Sequence, residues 1–213
     1  MIQAVIFDLD GVIVSTDEYH FQAWQRLAHE EEIPFTEKDN EQLKGVSRME
    51  SLEIILKQSP KSFSPEAKEN MAERKNSYYR DLLKNLSPSH ILPGVLHFLD
   101  SLQRHGIRVA IGSSSKNAVP ILHKLGLSQA FEAVADGTNI KRSKPDPEVF
   151  LLAASLISIR PTNCLVVEDA EAGVDAGLAA GMKVLAVGSA SSLAKATFRA
   201  KDLSQVVLGQ LLK

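Results

Sequence analysis

At 213 residues, 44% of them hydrophobic, the chain can bury a substantial core as one domain with an insertion or as two small ones. Its 24 basic and 26 acidic residues leave a net charge of −2, which argues against broad nucleic-acid or anionic-membrane binding, so an anionic ligand has to be held by local cations. The opening Met1-Ile2-Gln3-Ala4 carries no basic n-region ahead of an apolar segment, and no apolar run reaches membrane-spanning length, which reads as a soluble cytoplasmic protein.

The first element is an apolar strand over residues 2–8 that runs into Asp8-Leu9-Asp10-Gly11, two carboxylates entering a glycine turn. In an open α/β sheet, ligands sit beyond the carboxyl ends of the strands, so Asp8 and Asp10 are expected in a crevice. One carboxylate there can attack phosphorus while binding a metal, and the other can move a proton. Taken alone, the motif fits equally well a strand end with solvated aspartates.

Next comes a stretch with helical periodicity, many charges and no convincing strand, read as an inserted helical cap over residues 16–86, with 1–15 and 87–213 forming the core. Ser15-Thr16-Asp17-Glu18 has the pattern of a capping box and predicts a helix through Ala28, with His20, Trp24 and Leu27 on one face. Pro34, Lys44-Gly45 and Ser59-Pro60 punctuate the helices that follow, and Leu92-Pro93-Gly94-Val95 returns the chain to the core. From there, strands at 107–112, 131–134, 164–167 and 182–187 alternate with helices at 117–125, 147–157 and 170–180, the last stopped by Gly181. This alternation predicts α/β architecture, a Rossmann-like parallel sheet. The single cysteine, Cys164, sits in an apolar run and reads as a small buried side chain.

Three later segments add chemistry at predicted strand ends. Gly112-Ser113-Ser114-Ser115-Lys116-Asn117 is a hydroxyl-rich turn at a helix start, suited to cradling phosphate and equally to an ordinary serine-rich N-cap. In Lys141-Arg142-Ser143-Lys144-Pro145-Asp146-Pro147, Lys144 could neutralise the nucleophile and a phosphate together. Val167-Glu168-Asp169 ends another strand in carboxylates, and Asp169 with Asp8 and the Asp10 carbonyl would make an oxygen site for Mg²⁺.

With carboxylates, hydroxyl, lysine and carboxylates in that order, the chain resembles the haloacid dehalogenase superfamily of aspartate-nucleophile phosphotransferases over essentially its whole length. The resemblance implies Asp8 as nucleophile, Asp10 as general acid and base, and Ser113 and Lys144 as holders of the transferring phosphoryl group. It implies a Mg²⁺ site involving Asp8, Asp10, Glu168 and Asp169, and a cis Lys144-Pro145 peptide. The run Leu43-Lys44-Gly45-Val46-Ser47-Arg48 with Ser51-Leu52 is in turn similar to the sugar-phosphate mutases of that superfamily, as are His20, Trp24, Lys75 and Ser115-Lys116-Asn117. The substrate-binding set this implies is Thr16, His20, Trp24, Lys44, Gly45, Val46, Ser47, Arg48, Ser51, Lys75, Ser114, Ser115, Lys116 and Asn117.

Arg48 has the planar fork needed to grip the phosphate that is not being transferred. Trp24 also reads as a packing aromatic, His20 as a surface histidine, and Lys75 as part of a solvated charged face. Ser114 stands where alanine is expected in the mutase pattern. The implied reaction interconverts β-D-glucose 1-phosphate and glucose 6-phosphate through β-glucose 1,6-bisphosphate and a phosphorylated Asp8, in a monomer without nucleic-acid or membrane partners. A sugar-phosphate phosphatase and a non-catalytic sugar-phosphate sensor are the alternatives.

Overall fold

Short runs of valine, isoleucine and alanine, buried on both faces, build the centre of the molecule in a computed structural model that describes residues 1–43 and 46–211. The strands are β1 (Ala4–Phe7), β2 (Arg108–Gly112), β3 (Ala133–Ala135), β4 (Cys164–Glu168), β5 (Lys183–Ala186) and β6 (Phe198–Arg199), all parallel in the order β3-β2-β1-β4-β5-β6. This is the expected α/β Rossmann-like sheet. Phe7 pairs with Ile111 on one side and Val167 on the other, so Asp8, Ser113 and Glu168 emerge along one rim of the sheet. Cys164 is buried at the start of β4, its thiol pushed up to about 11 by burial, as suits a small apolar side chain.

Alternate strand residues serve opposite layers because successive side chains point to opposite faces. Val5, Phe7, Leu165 and Val167 join Phe98, Leu102, Ile121 and Leu122 from α5 (Val95–Arg104) and α6 (Ala118–Lys124). Ile6, Val166 and Val184 face the other way, onto Val149, Phe150 and Val174 from α7 (Glu148–Leu156) and α8 (Glu171–Ala179). The observed α6, α7 and α8 lie within one residue of their expected bounds, and Gly181 ends the last with φ +72°. Three elements, α5, β6 and a short helix at Leu208–Leu211, were outside the sequence reading. The third strand is displaced from the expected 131–134, because Phe131 packs edge-on against Phe7 with ring centroids 5.9 Å apart and leaves the pairing to Ala133–Ala135.

Residues 17–82 supply α1 (Asp17–Glu30), α2 (Glu37–Glu41), α3 (Arg48–Leu56) and α4 (Pro65–Leu82), with no strand between them among the described residues. Trp24, Leu27, Leu52, Ile55, Met71 and Ala72 form an apolar cluster of their own there, each large side chain contributing about 1.5–3 kcal/mol by leaving water. Ser47 and Glu50 make the capping box that starts α3, and Ser64 caps α4 ahead of Pro65. Helix α1 forms without the expected capping box: Thr16 rather than Ser15 stands at the N-cap, which makes Glu18 the second helical residue instead of the third, and the Thr16 hydroxyl makes no cap bond because it is turned to Asp10. Among the described residues no helix is long and apolar enough to cross a membrane.

Candidate active site

Asp8 follows β1 directly, its amide donating to the Val167 carbonyl at 2.9 Å. Lys144 reaches it from the loop before α7, through a cis Lys144-Pro145 bond as expected. The lysine Nζ lies 2.5 Å from Asp8 Oδ1 and 2.5 Å from Glu168 Oε1, buried over the Phe150 ring. Burial opposes the charged lysine, but the two carboxylates outweigh it and hold Lys144 protonated, well above its ordinary value. Burial also pushes Asp8 up to about 7, with Lys144 pulling against it and Glu168 adding to it. The second Glu168 oxygen accepts from the amides of Asp169 at 2.8 Å and Ala170 at 2.9 Å, so Glu168 anchors the lysine from behind.

Asp8, Glu168 and Asp169 offer carboxylate oxygens within 4.8 Å of one another. Asp169 is pushed up to about 9, by burial first and then by the charges of Glu168, Asp8 and Asp17. A cluster of hard oxygen donors carrying more negative charge than Lys144 balances fits a small divalent cation of the Mg²⁺ kind. The turn beside it has no room to spare: Gly11 has φ +82°, and a Cβ there would stand 2.0 Å from Asp169 Oδ2. Glu168 is the most heavily tied of the three, with one oxygen accepting from Lys144 and the other from two amides, while Asp8 accepts from Lys144 through Oδ1.

Asp10 is half-buried on the same rim and accepts a hydrogen bond from the Thr16 hydroxyl. Burial raises its carboxyl to about 6, against the pull of the Thr16 bond. The buried Tyr79 hydroxyl, arriving on α4, donates to Thr16 Oγ1 at 3.0 Å, so Thr16 has its single proton left for Asp10.

Facing this rim, α1, α3 and α4 close a cavity of about 490 Å³. Lys75, buried on α4, places its Nζ 2.8 Å from His20 Nδ1, 4.6 Å from the Trp24 ring centroid and 4.8 Å from that of Tyr79. Burial, with the Arg48 charge adding to it, moves Lys75 well below its ordinary value. Burial and the Lys75 charge do the same to His20, keeping the imidazole neutral. Arg48 opens α3 with Nη1 3.3 Å from Glu73, and Asn117 donates to the Asn76 side-chain carbonyl at 3.1 Å across the cleft between α6 and α4.

The cavity brings together most of the residues expected from sequence: Asp8, Asp10, Ser113, Lys144 and Asp169 on the sheet rim, Ser114, Ser115, Lys116 and Asn117 in the turn after β2, and His20, Trp24, Val46, Ser47, Arg48, Ser51 and Lys75 opposite. Thr16 and Glu168 are not in its wall and stand behind it, bonded to Asp10 and Lys144. Lys44 and Gly45 lie outside the described residues. The serine turn partly holds itself together, since Ser113 Oγ accepts from the Ser115 amide and Ser115 Oγ from the Asn117 amide, both at 3.1 Å. The Ser114 hydroxyl is buried and has no hydrogen-bond partner. Sequence reasoning missed Glu73, Asn76 and Tyr79. The four-residue spacing of Lys75 and Tyr79, which puts them on one helix face, was the signal available.

A family model for haloacid dehalogenase-like hydrolases matches residues 2–181. A β-phosphoglucomutase of Bacillus subtilis is 41% identical over 208 residues, covering 97% of this chain and 92% of that protein. A phosphorylated-carbohydrates phosphatase of Thermotoga maritima is 32% identical over 188 residues, covering 85% of this chain and 82% of that one. The crystal structure of a β-phosphoglucomutase from Clostridium difficile superposes with a TM-score of 0.94 at 42% identity, covering 100% of this chain and 96% of that one.

Proposed function

Because this chain belongs to the haloacid dehalogenase-like hydrolase family, we propose that it is a Mg²⁺-dependent β-phosphoglucomutase, interconverting β-D-glucose 1-phosphate and glucose 6-phosphate through β-glucose 1,6-bisphosphate. The observation that carries the reading is one cavity whose wall includes Asp8, Asp10 and Lys144 on the sheet rim and also the cations Arg48, Lys75 and Lys116. A phosphatase needs the first group only. A mutase needs both, because the sugar bisphosphate turns end for end and one phosphate must be gripped while the other reacts.

In this reading the Asp8 carboxylate attacks phosphorus, an Oδ–P bond forms and the bond to the sugar oxygen breaks. Asp10 gives its proton to that leaving oxygen, and as a carboxylate it later takes a proton from the sugar hydroxyl that attacks phospho-Asp8. A carboxyl raised to about 6 is suited to both halves near neutral pH. Lys144 and the Ser113 hydroxyl steady the transferring oxygens. Asp8, Asp169 and the Asp10 carbonyl would hold Mg²⁺, whose positive charge offsets repulsion between the nucleophile and the phosphate. Arg48, Ser115, Lys116 and Asn117 hold the idle phosphate. Helices α1–α4, within residues 16–86, form a cap that excludes water from phospho-Asp8, while residues 1–15 and 87–213 form the core. In this reading the enzyme is a monomer and works in the cytoplasm, where sugar phosphates are metabolised.

The test follows glucose 6-phosphate and inorganic phosphate in parallel from β-glucose 1-phosphate, Mg²⁺ and a trace of β-glucose 1,6-bisphosphate. Glucose 6-phosphate with little free phosphate is expected. Stoichiometric free phosphate without isomerisation would sink the mutase and leave a sugar-phosphate phosphatase, the activity named for the Thermotoga maritima relative.

A further inference from the structure

The loop that delivers Lys144 is held at both ends by a residue that neither its motif nor the proposed chemistry accounts for. Glu148, the first residue of α7, turns its side chain back over the loop. Its Oε1 accepts from the Lys141 amide and its Oε2 from the Arg142 amide, each at 2.9 Å. Asp146 closes the inner turn, its amide donating to the Ser143 carbonyl at 3.0 Å and its Oδ1 accepting from the Glu148 amide at 3.0 Å. The Arg142 guanidinium lies 2.9 Å from Asp146 and 3.4 Å from Glu148 on the outside. Between these ties, Lys144 points inward to its place between Asp8 and Glu168.

Two neighbouring amides aimed at one carboxylate make a small anion nest, and the first turn of α7 favours the same negative charge. The amide bonds, that from Lys141 first, draw the Glu148 carboxyl below its ordinary value, so the loop favours its ionised form. A lysine has a long flexible stem, and its placement to within a fraction of an ångström requires a fixed Cα.

We propose that Glu148 is the positioning residue for Lys144: its carboxylate ties Lys141 and Arg142 to the start of α7 and thereby fixes the backbone from which Lys144 reaches Asp8. The proposal rests on the phosphotransfer role given to Lys144 and is independent of whether sugar or water accepts the phosphoryl group.

Glu148→Ala removes both ties. Glu148→Gln keeps one acceptor oxygen and sets an amide donor against the other N–H. Arg142→Ala removes the outer ion pairs and leaves both amide bonds. The rates of isomerisation and of p-nitrophenyl phosphate hydrolysis are measured for each variant, with hydrogen exchange at the Lys141 and Arg142 amides. In Glu148→Ala, kcat should fall by about tenfold or more in both assays, KM should stay within about twofold, and both amides should lose protection. Glu148→Gln should lie between, and Arg142→Ala should match the unsubstituted protein. Retention of full kcat in a Glu148→Ala chain whose amides exchange freely would overturn the proposal. So would a kcat loss that Arg142→Ala reproduces, or one that appears only as a rise in KM. An unsubstituted enzyme that hydrolyses the aryl phosphate without isomerising would instead count against the mutase, with the Glu148 comparison intact.

Discussion

Gly173 is the residue whose replacement by alanine should do most damage for least change. It lies in α8, where alanine is ordinarily the better helix former by about 1 kcal/mol. A Cβ at this position would stand 1.8 Å from Glu168 Oε1, 2.0 Å from its Cδ and 2.5 Å from Oε2, so the whole carboxylate has to withdraw. That carboxylate holds Lys144 at 2.5 Å and the amides of Asp169 and Ala170 at 2.8 and 2.9 Å. Hydrogen bonds to charged groups are each worth about 1.5–3 kcal/mol, and breaking a buried ion pair costs about 3–5 kcal/mol. Set against the helix-propensity gain, Gly173→Ala should lose about 2–4 kcal/mol of stability and most of its phosphotransfer activity. Urea unfolding supplies the first quantity, with Gly209→Ala as the comparison, since a Cβ at Gly209 meets nothing within 4 Å. A Gly173→Ala protein as stable and as active as Gly209→Ala would refute the idea that Glu168 is fixed by contact with α8.

Asn76→Ala removes the acceptor of the Asn117 side chain and should raise free phosphate per glucose 6-phosphate severalfold by loosening the cap; an unchanged ratio would show that this bond does not govern water access. Arg48→Ala should cut isomerisation by about a hundredfold, the worth of a charge-assisted phosphate contact, and spare aryl-phosphate hydrolysis. Equal losses in the two assays would remove Arg48 from the idle-phosphate site. The Asp10 carboxyl is raised in the fold to about 6, so its contribution to stability is present below its unfolded value of 3.8 and drains away as pH rises through about 6. In EDTA, the unfolding free energy of the unsubstituted protein relative to Asp10→Asn should therefore decline from about pH 4 to about pH 7. A flat difference would contradict the raised carboxyl.

The sheet and the rim chemistry were legible from sequence because each strand end couples a short β-branched run to a carboxylate, a hydroxyl turn or a lysine, all local patterns. Helix α1 shows where local logic is overridden: Ser15 and Glu18 have the capping-box spacing, yet Thr16 takes the N-cap and turns its hydroxyl to Asp10, six residues away in sequence. The face of α4 was hidden for a different reason. Ala72-Glu73-Arg74-Lys75-Asn76 reads as a solvated charged run, and only the approach of α1 and of the turn before α6 shows that Lys75 and Asn76 are buried while Glu73 and Arg74 stay outside. Glu148 escaped notice because an acid opening a helix is commonplace, and its partners lie six and seven residues back.

The strand order has a consequence for how the molecule comes to be active. The strand leading into Asp8 precedes the other five of the sheet in the chain, but its two neighbours are β2 and β4, so Ala4 waits for Cys164 before its second edge is paired. Contacts closed over so long a stretch of chain form slowly, since the entropy of closing the loop comes before the reward of pairing. Until β4 arrives, Asp8 has neither Glu168 behind its lysine nor Asp169 beside it. Asp8, the proposed nucleophile, thus lacks these partners until β4 has been made, and a nascent chain should gain reactivity only as the centre of the sheet is completed.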